Sequence, residues 1–183
     1  MILFYANCSN KYTKKYHEEC PDKIGQMMNP TSGWGKPKGI YAIDNGAYNQ
    51  FNEEKFFEML RKAKRYHPPL FIVAPDVIGC HCRTHALWMY YYPILKQYGY
   101  PIAFVAQEGC EPNLVPSGAD WIFIGGRDPW KMKNVKKYII DRPVHVGRVS
   151  SYKRLKTCEM LGVDSVDGSG WFRGGPGRAN ERQ

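Results

Sequence analysis

The sequence predicts an α/β protein, a (β/α) TIM-like barrel that is trimmed or irregular and has about seven visible strands. Apolar runs alternate along the chain with helical patterns, which is the arrangement of βα units in a parallel sheet. Three of these runs end in an aspartate, at Asp44, Asp76 and Asp167, and a fourth ends in Gln107. Because the carboxyl ends of parallel strands meet at one rim of a barrel, we expect these polar groups to meet where barrels do their chemistry.

Seven short segments rich in apolar residues are predicted as strands. They cover residues 2–6, 39–44, 70–75, 101–106, 121–124, 144–146 and 164–167. No eighth strand is visible after Asp167, and the 183 residues fall short of the roughly 250 in a typical full barrel. We therefore expect a trimmed, incomplete or irregular barrel, which leaves room for a homo-oligomer or a partner subunit in the active form.

Four helices are predicted between the strands, over residues 52–67, 84–98, 129–140 and 150–161. Asn52 suits the N-cap of the first helix, and the two prolines after His67 would end it. A polar segment before residue 21 has tyrosines and a cysteine at near-helical spacing. Residues 28–38 contain two prolines and two glycines and predict a loop that is long enough to be functional.

The composition indicates a soluble, basic protein. No apolar run approaches the ~18 residues that a membrane helix needs, and the apolar N-terminus is too short for a signal peptide. We therefore expect a cytoplasmic location, in the host cytoplasm if a phage encodes the protein. The net charge is +9, from 26 Lys and Arg against 17 Asp and Glu. This excess fits a polyanionic partner such as DNA or RNA, or simply a generally basic soluble protein.

The six cysteines do not form the pattern of a small secreted disulfide framework, so we expect reduced thiols. Cys80, Cys82 and His85 lie close together in the sequence and could bind zinc. The cluster lacks a second ligand pair at the usual spacing, and ordinary buried or loop thiols are the alternative. No metal and no cofactor are predicted.

Five motifs occur in strand-end positions. They are Asp44-Asn-Gly-Ala-Tyr48, Pro75-Asp76, Gln107-Glu-Gly109, Ile124-Gly-Gly126 and Gly162-Val-Asp-Ser-Val-Asp167. In this order they resemble the tRNA-guanine transglycosylase superfamily, and most closely its phage-type DNA-guanine transglycosylases, which install 7-deazaguanines in DNA. The resemblance covers roughly residues 39–170. It implies a single barrel domain over residues 1–183 with a basic, Gly-rich C-terminal tail at 170–183.

The resemblance implies base exchange, in which guanine in DNA is replaced by a 7-deazaguanine base such as preQ0. Asp167 matches the family's nucleophile, which attacks C1′ and forms a covalent Asp–deoxyribosyl intermediate. Asp44 matches the second carboxylate, a general acid and base for the leaving and incoming bases. Asp164, three residues before Asp167, is the alternative nucleophile.

The guanine pocket follows from the same resemblance. Asp76 matches the carboxylate that accepts hydrogen bonds from N1–H and the 2-amino group. Gln107 matches the amide that binds O6 or N7, and the backbone amides of Gly125 and Gly126 match donors to O6. Tyr48 matches the aromatic residue that stacks on the base. Val146 lies where the family has an apolar group on the opposite face.

Each of these residues also has a purely structural interpretation. Asp44 could form an Asx turn, and Asp76 could cap a turn or a helix. Gln107 could be a satisfied polar group at the barrel mouth, and Tyr48 could pack in the core. The Gly125-Gly126 pair could form a tight turn.

The substrate is expected to be DNA. The tRNA enzymes have a zinc site of three Cys and one His downstream of the nucleophile, whereas the 16 residues after Asp167 contain neither residue type. A barrel mouth reaches C1′ only of a base that has left the stack. Candidate phosphate contacts are Lys133, Lys136, Lys137, Arg173 and Arg178, and Trp171 and Phe172 could stack or wedge, or be buried.

Two other functions fit the same sequence. One is an N-glycosidase that hydrolyses a nucleoside or nucleotide without an incoming base. The other is a catalytically silent nucleic-acid-binding subunit, which would keep salt-sensitive binding but would not need Asp167.

Overall fold

Eight parallel strands close into a barrel in which each strand pairs with the next along the chain and the last pairs with the first. This computed structural model describes residues 1–6, 11–31 and 35–168. Within them the strands are β1 (Ile2–Ala6), β2 (Ile24–Met28), β3 (Tyr41–Ile43), β4 (Ile72–Val73), β5 (Ile102–Ala106), β6 (Trp121–Ile124), β7 (Val144–Val146) and β8 (Ser165–Asp167). The predicted TIM-like barrel is confirmed.

The expectation of seven strands and an incomplete barrel is wrong. The additional strand is β2, which pairs with β1 on one side and β3 on the other, whereas no strand was predicted between residues 6 and 39. Gly25 and Gln26 interrupt its apolar pattern. The packing requires glycine at position 25, because a Cβ there would overlap the ring of Phe4. Since the barrel closes within one chain, incompleteness no longer argues for a partner subunit.

Five α-helices lie within the described residues. They are α1 (Lys11–Glu19), α2 (Glu53–Ala63), α3 (His81–Lys96), α4 (Asp128–Asn134) and α5 (Tyr152–Leu161). The predicted N-cap is confirmed, because the Asn52 side chain accepts a hydrogen bond from the backbone of Lys55 at the start of α2. None of the described helices has both the length and the apolarity to cross a membrane.

The barrel is shortened in its strands and in its outer layer. β4 has only two residues, and β5 connects to β6 through a single 3₁₀ helix, Pro112–Leu114. The helix predicted over 129–140 is α4 followed by another 3₁₀ helix, Val135–Tyr138. The short strand and the short 3₁₀ helices explain how a closed eight-stranded barrel fits into a chain of this length.

The alternation of side chains along each strand divides the core into two layers. An inner cluster fills the barrel and includes Phe4, Phe71 and Val105. An outer cluster lies between the strands and the helices and includes Tyr41 and Phe104. Which layer a strand residue joins decides whether it can reach the mouth of the barrel.

Candidate functional site

A cavity of about 410 Å³ opens at the carboxyl ends of the strands. Its apolar walls include Met27, Val73, Val105 and Phe123. Seven of the eight residues predicted for catalysis or base binding line it: Asp44, Tyr48, Asp76, Gln107, Gly125, Gly126 and Asp167. The structure therefore brings together, in one cavity, residues that lie up to 123 positions apart in the chain.

Asp167 is the last residue of β8, and its side chain is 13% exposed. Its Oδ2 lies 3.0 Å from Nε2 of His145, and its Oδ1 accepts a hydrogen bond of 3.1 Å from the backbone N–H of Arg148. Both oxygens are thus held by groups of β7 and the loop that follows it. This fixes the plane of the carboxylate at the cavity wall.

Asp44 directly follows β3 and is half-buried in the same wall. Burial, together with the negative charges of Asp167 and Asp76, raises the pKa of its carboxyl from 3.8 to about 7. Near neutral pH this carboxyl can therefore give or take a proton. Backbone hydrogen bonds from Gly46 and Asn45 to the Asp44 carboxyl act to lower this pKa, so the Asx turn of Asp44 with Asn45 and Gly46 is present alongside its place in the cavity wall. Asn45 makes a similar contact, in which its Oδ1 accepts from Ala47 N at 2.7 Å.

Asp76 is held by two amides. Its Oδ1 accepts from Nδ2 of Asn45 at 2.8 Å, and its Oδ2 accepts from Nε2 of Gln107 at 2.6 Å. Burial raises the pKa of the Asp76 carboxyl, while these two donors act in the opposite direction. The residue that caps α3 is Cys80, so Asp76 does not serve as that cap.

Gln107 is 1% exposed and is bonded at both ends of its amide. Its Oε1 accepts from the backbone of Gly79 at 2.8 Å, while its Nε2 donates to Asp76. The amide therefore orients Asp76, as the interpretation of a satisfied polar group expected. A carboxylate has about four acceptor sites, so Asp76 retains two for a ligand.

The two glycines after β6 have different roles. The N–H of Gly125 donates to the carbonyl of Ala106 at 3.0 Å within the barrel, which corrects its predicted role as a donor to the base. A Cβ at Gly125 would lie 2.6 Å from Nε2 of Gln107, so the glycine allows that amide to approach. Gly126 has φ +75°, and its N–H makes no hydrogen bond within the described part of the chain. Of the pair, Gly126 remains the candidate donor.

Val146 does not reach the cavity, contrary to the prediction. It is fully buried in the outer cluster between the barrel and the helices. The reason is the alternation along β7, which sends Val144 and Val146 outward and His145 inward. Phe123 and Val105 are the apolar groups that line the cavity nearby.

The alternative nucleophile Asp164 lies at the opposite end of β8. Its Oδ2 accepts from the backbone N–H of Val144 at 2.8 Å, and the side chain is outside the cavity. Its role is to tie the start of β8 to the start of β7. The geometry therefore favours Asp167 over Asp164.

The candidate phosphate contacts are only partly described. Lys133, Lys136 and Lys137 are exposed on α4 and the following 3₁₀ helix, and Lys137 pairs with Glu111 at 3.2 Å. None of these three lines the cavity. Arg173, Arg178, Trp171 and Phe172 lie outside the described residues.

Four residues of the site were not predicted from the sequence to take part in catalysis or base binding, namely Asn45, Lys131, His145 and Arg148. Lys131 is 2% exposed, and its Nζ lies 2.5 Å from the carbonyl of Gly147 and 3.0 Å from Oδ1 of Asp128. In the sequence Lys131 stands among other lysines, and such a run predicts a solvent-exposed helix face. The apolar-polar-apolar pattern of Val144-His-Val146 was a signal that His145 points inward.

The cysteines of the described residues all have free thiols. No group of three or more His, Cys, Asp or Glu side chains in the described ranges is arranged to hold a metal ion. Cys80, Cys82 and His85 therefore do not form such a group where the structure describes them.

The fold and the site define a closed α/β barrel with a cavity lined by three carboxylates. No family model and no curated protein matches the chain. Among solved structures, it is similar to the crystal structure of the YdjI aldolase from Escherichia coli K12. The identity is 12% and the TM-score is 0.46, over 91% of this chain and 73% of the aldolase.

Proposed function

We propose that the protein exchanges guanine in DNA for a 7-deazaguanine base such as preQ0. The observation that supports this most directly is the presence of Asp44, Asp76 and Asp167 in one cavity with three different environments. One carboxyl has a pKa near neutrality, one is held by two amides, and one has both oxygens fixed. These environments suit a proton carrier, a base-binding group and a nucleophile.

In the first step Asp167 attacks C1′ of a flipped-out deoxyguanosine. A bond forms between a carboxylate oxygen and C1′ as the C1′–N9 bond breaks, and the electron pair of that bond leaves with guanine. The protonated Asp44 supplies the proton that neutralises the leaving base. The product is free guanine and a deoxyribosyl ester of Asp167.

In the second step a 7-deazaguanine enters the pocket. Ionised Asp44 takes the proton from N9–H, N9 attacks C1′, and the ester bond breaks to return the Asp167 carboxylate. Two displacements at C1′ restore the original configuration of the glycosidic bond. Asp44 finishes protonated and is ready for the next cycle.

Asp76 gives the reaction its preference for guanine-like bases. Its two remaining acceptor sites match the N1–H and 2-amino donors of guanine and of a 7-deazaguanine. Asn45 and Gln107 hold the carboxylate in one orientation, so little conformational freedom is lost when the base binds. A cavity of about 410 Å³ lies in the size range of small-ligand pockets.

The DNA substrate follows the resemblance to the phage-type enzymes and agrees with a net charge of +9. Lys133, Lys136 and Lys137 are exposed and available to phosphates, although Lys137 also pairs with Glu111. A salt-dependent affinity is expected from such contacts.

The test is to incubate the protein with DNA, and separately with tRNA, carrying radiolabelled guanine, with and without preQ0. Label released from DNA only when preQ0 is present supports base exchange. Release without preQ0 indicates an N-glycosidase, and release from tRNA alone moves the substrate to RNA. No release from either nucleic acid, with binding retained, indicates a catalytically silent binding subunit.

A further inference from the structure

His145 lies in the centre of the barrel and is completely buried. Its ring contacts three phenylalanines of the inner barrel, with centroids 4.6 Å from Phe123, 5.3 Å from Phe71 and 5.8 Å from Phe4. An apolar wall of this kind would suit a phenylalanine or a leucine equally well. The presence of an imidazole therefore needs another explanation.

Both ring nitrogens of His145 have polar partners. Nδ1 lies 2.8 Å from Oγ of Ser165, and Nε2 lies 3.0 Å from Oδ2 of Asp167. A hydroxyl can donate to Nδ1 or accept from it, whereas an ionised carboxylate can only accept. The arrangement that keeps the ring neutral among the phenylalanines has Ser165 donating to Nδ1 and Nε2–H donating to Asp167.

The second hydrogen bond to Asp167 comes from the residue three positions after His145. The N–H of Arg148 donates to Oδ1, so the carboxylate is held at one oxygen by β7 and at the other by the loop after it. Loss of either donor leaves one oxygen fixed and allows the carboxylate to turn about that bond. A displacement of about 1 Å at a reacting group can lower a rate about 100-fold.

We propose that His145 is a positioning residue for Asp167, whose Nε2–H holds Oδ2 so that the carboxylate faces C1′. The inference rests on the proposed function, in which Asp167 forms the bond to the sugar. His145 acts through Asp167 alone and does not touch the base. It should therefore set the rate of the first step without setting the affinity for the base.

The test compares His145→Phe with His145→Gln. Phenylalanine keeps an aromatic ring among Phe4, Phe71 and Phe123 but has no donor, whereas glutamine can place an N–H where Nε2 lies. The measurements are the single-turnover rate of guanine release from DNA, the affinity for free guanine by calorimetry, and the thermal midpoint of each variant.

We expect His145→Phe to lower the single-turnover rate about 100-fold. Its guanine affinity should stay within about twofold of wild type, and His145→Gln should recover at least about tenfold of the lost rate. A phenylalanine variant that is folded and keeps the wild-type rate would overturn the inference. Equal loss in the two variants, or a parallel loss of base affinity, would overturn it as well.

A second measurement does not depend on activity. ¹⁵N NMR of the His145 ring in the wild-type protein should show a proton on Nε2, with that preference weakened in Asp167→Leu. Protonation at Nδ1 alone would overturn the inference. If wild-type protein releases no guanine, the proposed function fails, while this spectrum still decides whether His145 holds Asp167.

Discussion

The guanidinium carbon of Arg148 lies 4.8 Å from the centre of the Tyr48 ring. The same guanidinium donates through Nη2 to the carbonyl of Gly126 at 2.9 Å, so it spans the cavity between the segment after β3 and the end of β6. Tyr48 is 67% exposed, which excludes its interpretation as a core residue. A base that stacks on Tyr48 must share the ring with the guanidinium or displace it.

Replacement of Arg148 by glycine is expected to tighten the binding of free guanine about twofold to thirtyfold, because a cation–π contact worth about 0.5–2 kcal/mol no longer competes for Tyr48. Glycine suits this position, since the backbone there has φ +56°. Calorimetric titration with guanine measures the effect. Arg127→Gly is the matched control, because it removes the exposed arginine that follows β6, the strand next to β7. Equal changes in the two variants would contradict this account of the cavity mouth.

Guanine release should decline above about pH 7, because Asp44 must carry a proton when the base leaves and its pKa is about 7. Asp44→Asn should be slow at every pH and lack this alkaline decline. Single-turnover rates between pH 5 and pH 9 provide the comparison. An alkaline decline that persists unchanged in Asp44→Asn would assign the proton to another group.

The same carboxyl should influence stability with a definite sign. Its pKa is raised from 3.8 to about 7 on folding, so between these values the folded protein holds a proton that the unfolded chain has lost. The contribution of Asp44 to stability is therefore greatest at low pH and is lost as the pH rises from about 4 to about 7. Denaturant unfolding at pH 5 and pH 8 should show Asp44→Asn gaining stability over wild type at the higher pH. A gain at pH 5 alone would show that the sign is wrong.

Asp76→Ala is expected to weaken guanine binding at least about tenfold, because hydrogen bonds to a charged group contribute about 1.5–3 kcal/mol. DNA affinity should remain within about twofold, since Asp76 lies inside the cavity. Guanine calorimetry and DNA binding by fluorescence anisotropy separate the two effects. Asp141→Ala, at a carboxylate that is 64% exposed and outside the cavity, controls for the change in charge. Equal losses of guanine and DNA binding in Asp76→Ala would contradict a role in base recognition.

Lys131→Met should lower the free energy of unfolding by about 1–3 kcal/mol, the usual cost of leaving a buried acceptor without its donor. The carbonyl of Gly147 loses the Nζ donor at 2.5 Å, and Asp128 loses its contact with Lys131 while it keeps its pairing with Arg154. Lys133→Met, on the exposed side of the same helix, should change stability by less than about 0.5 kcal/mol. Urea unfolding of both variants gives the comparison. A similar small change in both would show that the buried lysine does not anchor the loop after β7.

The rim of the barrel could be predicted because Asp44, Asp76 and Gln107 each follow an apolar run directly or within three residues. β2 could not be predicted, because Gly25 is not a residue that favours a strand locally. It is glycine because it packs directly against the Phe4 ring. The placement of Val146 followed a motif position and neglected the alternation that sends His145 inward. Lys131 and Arg148 could not be recognised, since their partners Gly147 and Tyr48 meet them only in the folded barrel.

The central claim is that Asp167 forms the bond to the sugar, and a comparison of two aspartates on one strand tests it most directly. Wild type, Asp167→Asn and Asp164→Asn are incubated with DNA carrying radiolabelled guanine in the presence of preQ0. Asp164 is the matched control, because its side chain lies outside the cavity and an asparagine can still accept from the N–H of Val144. We predict that Asp167→Asn releases no label while Asp164→Asn releases it at close to the wild-type rate. Release by a folded Asp167→Asn at the wild-type rate would contradict the claim.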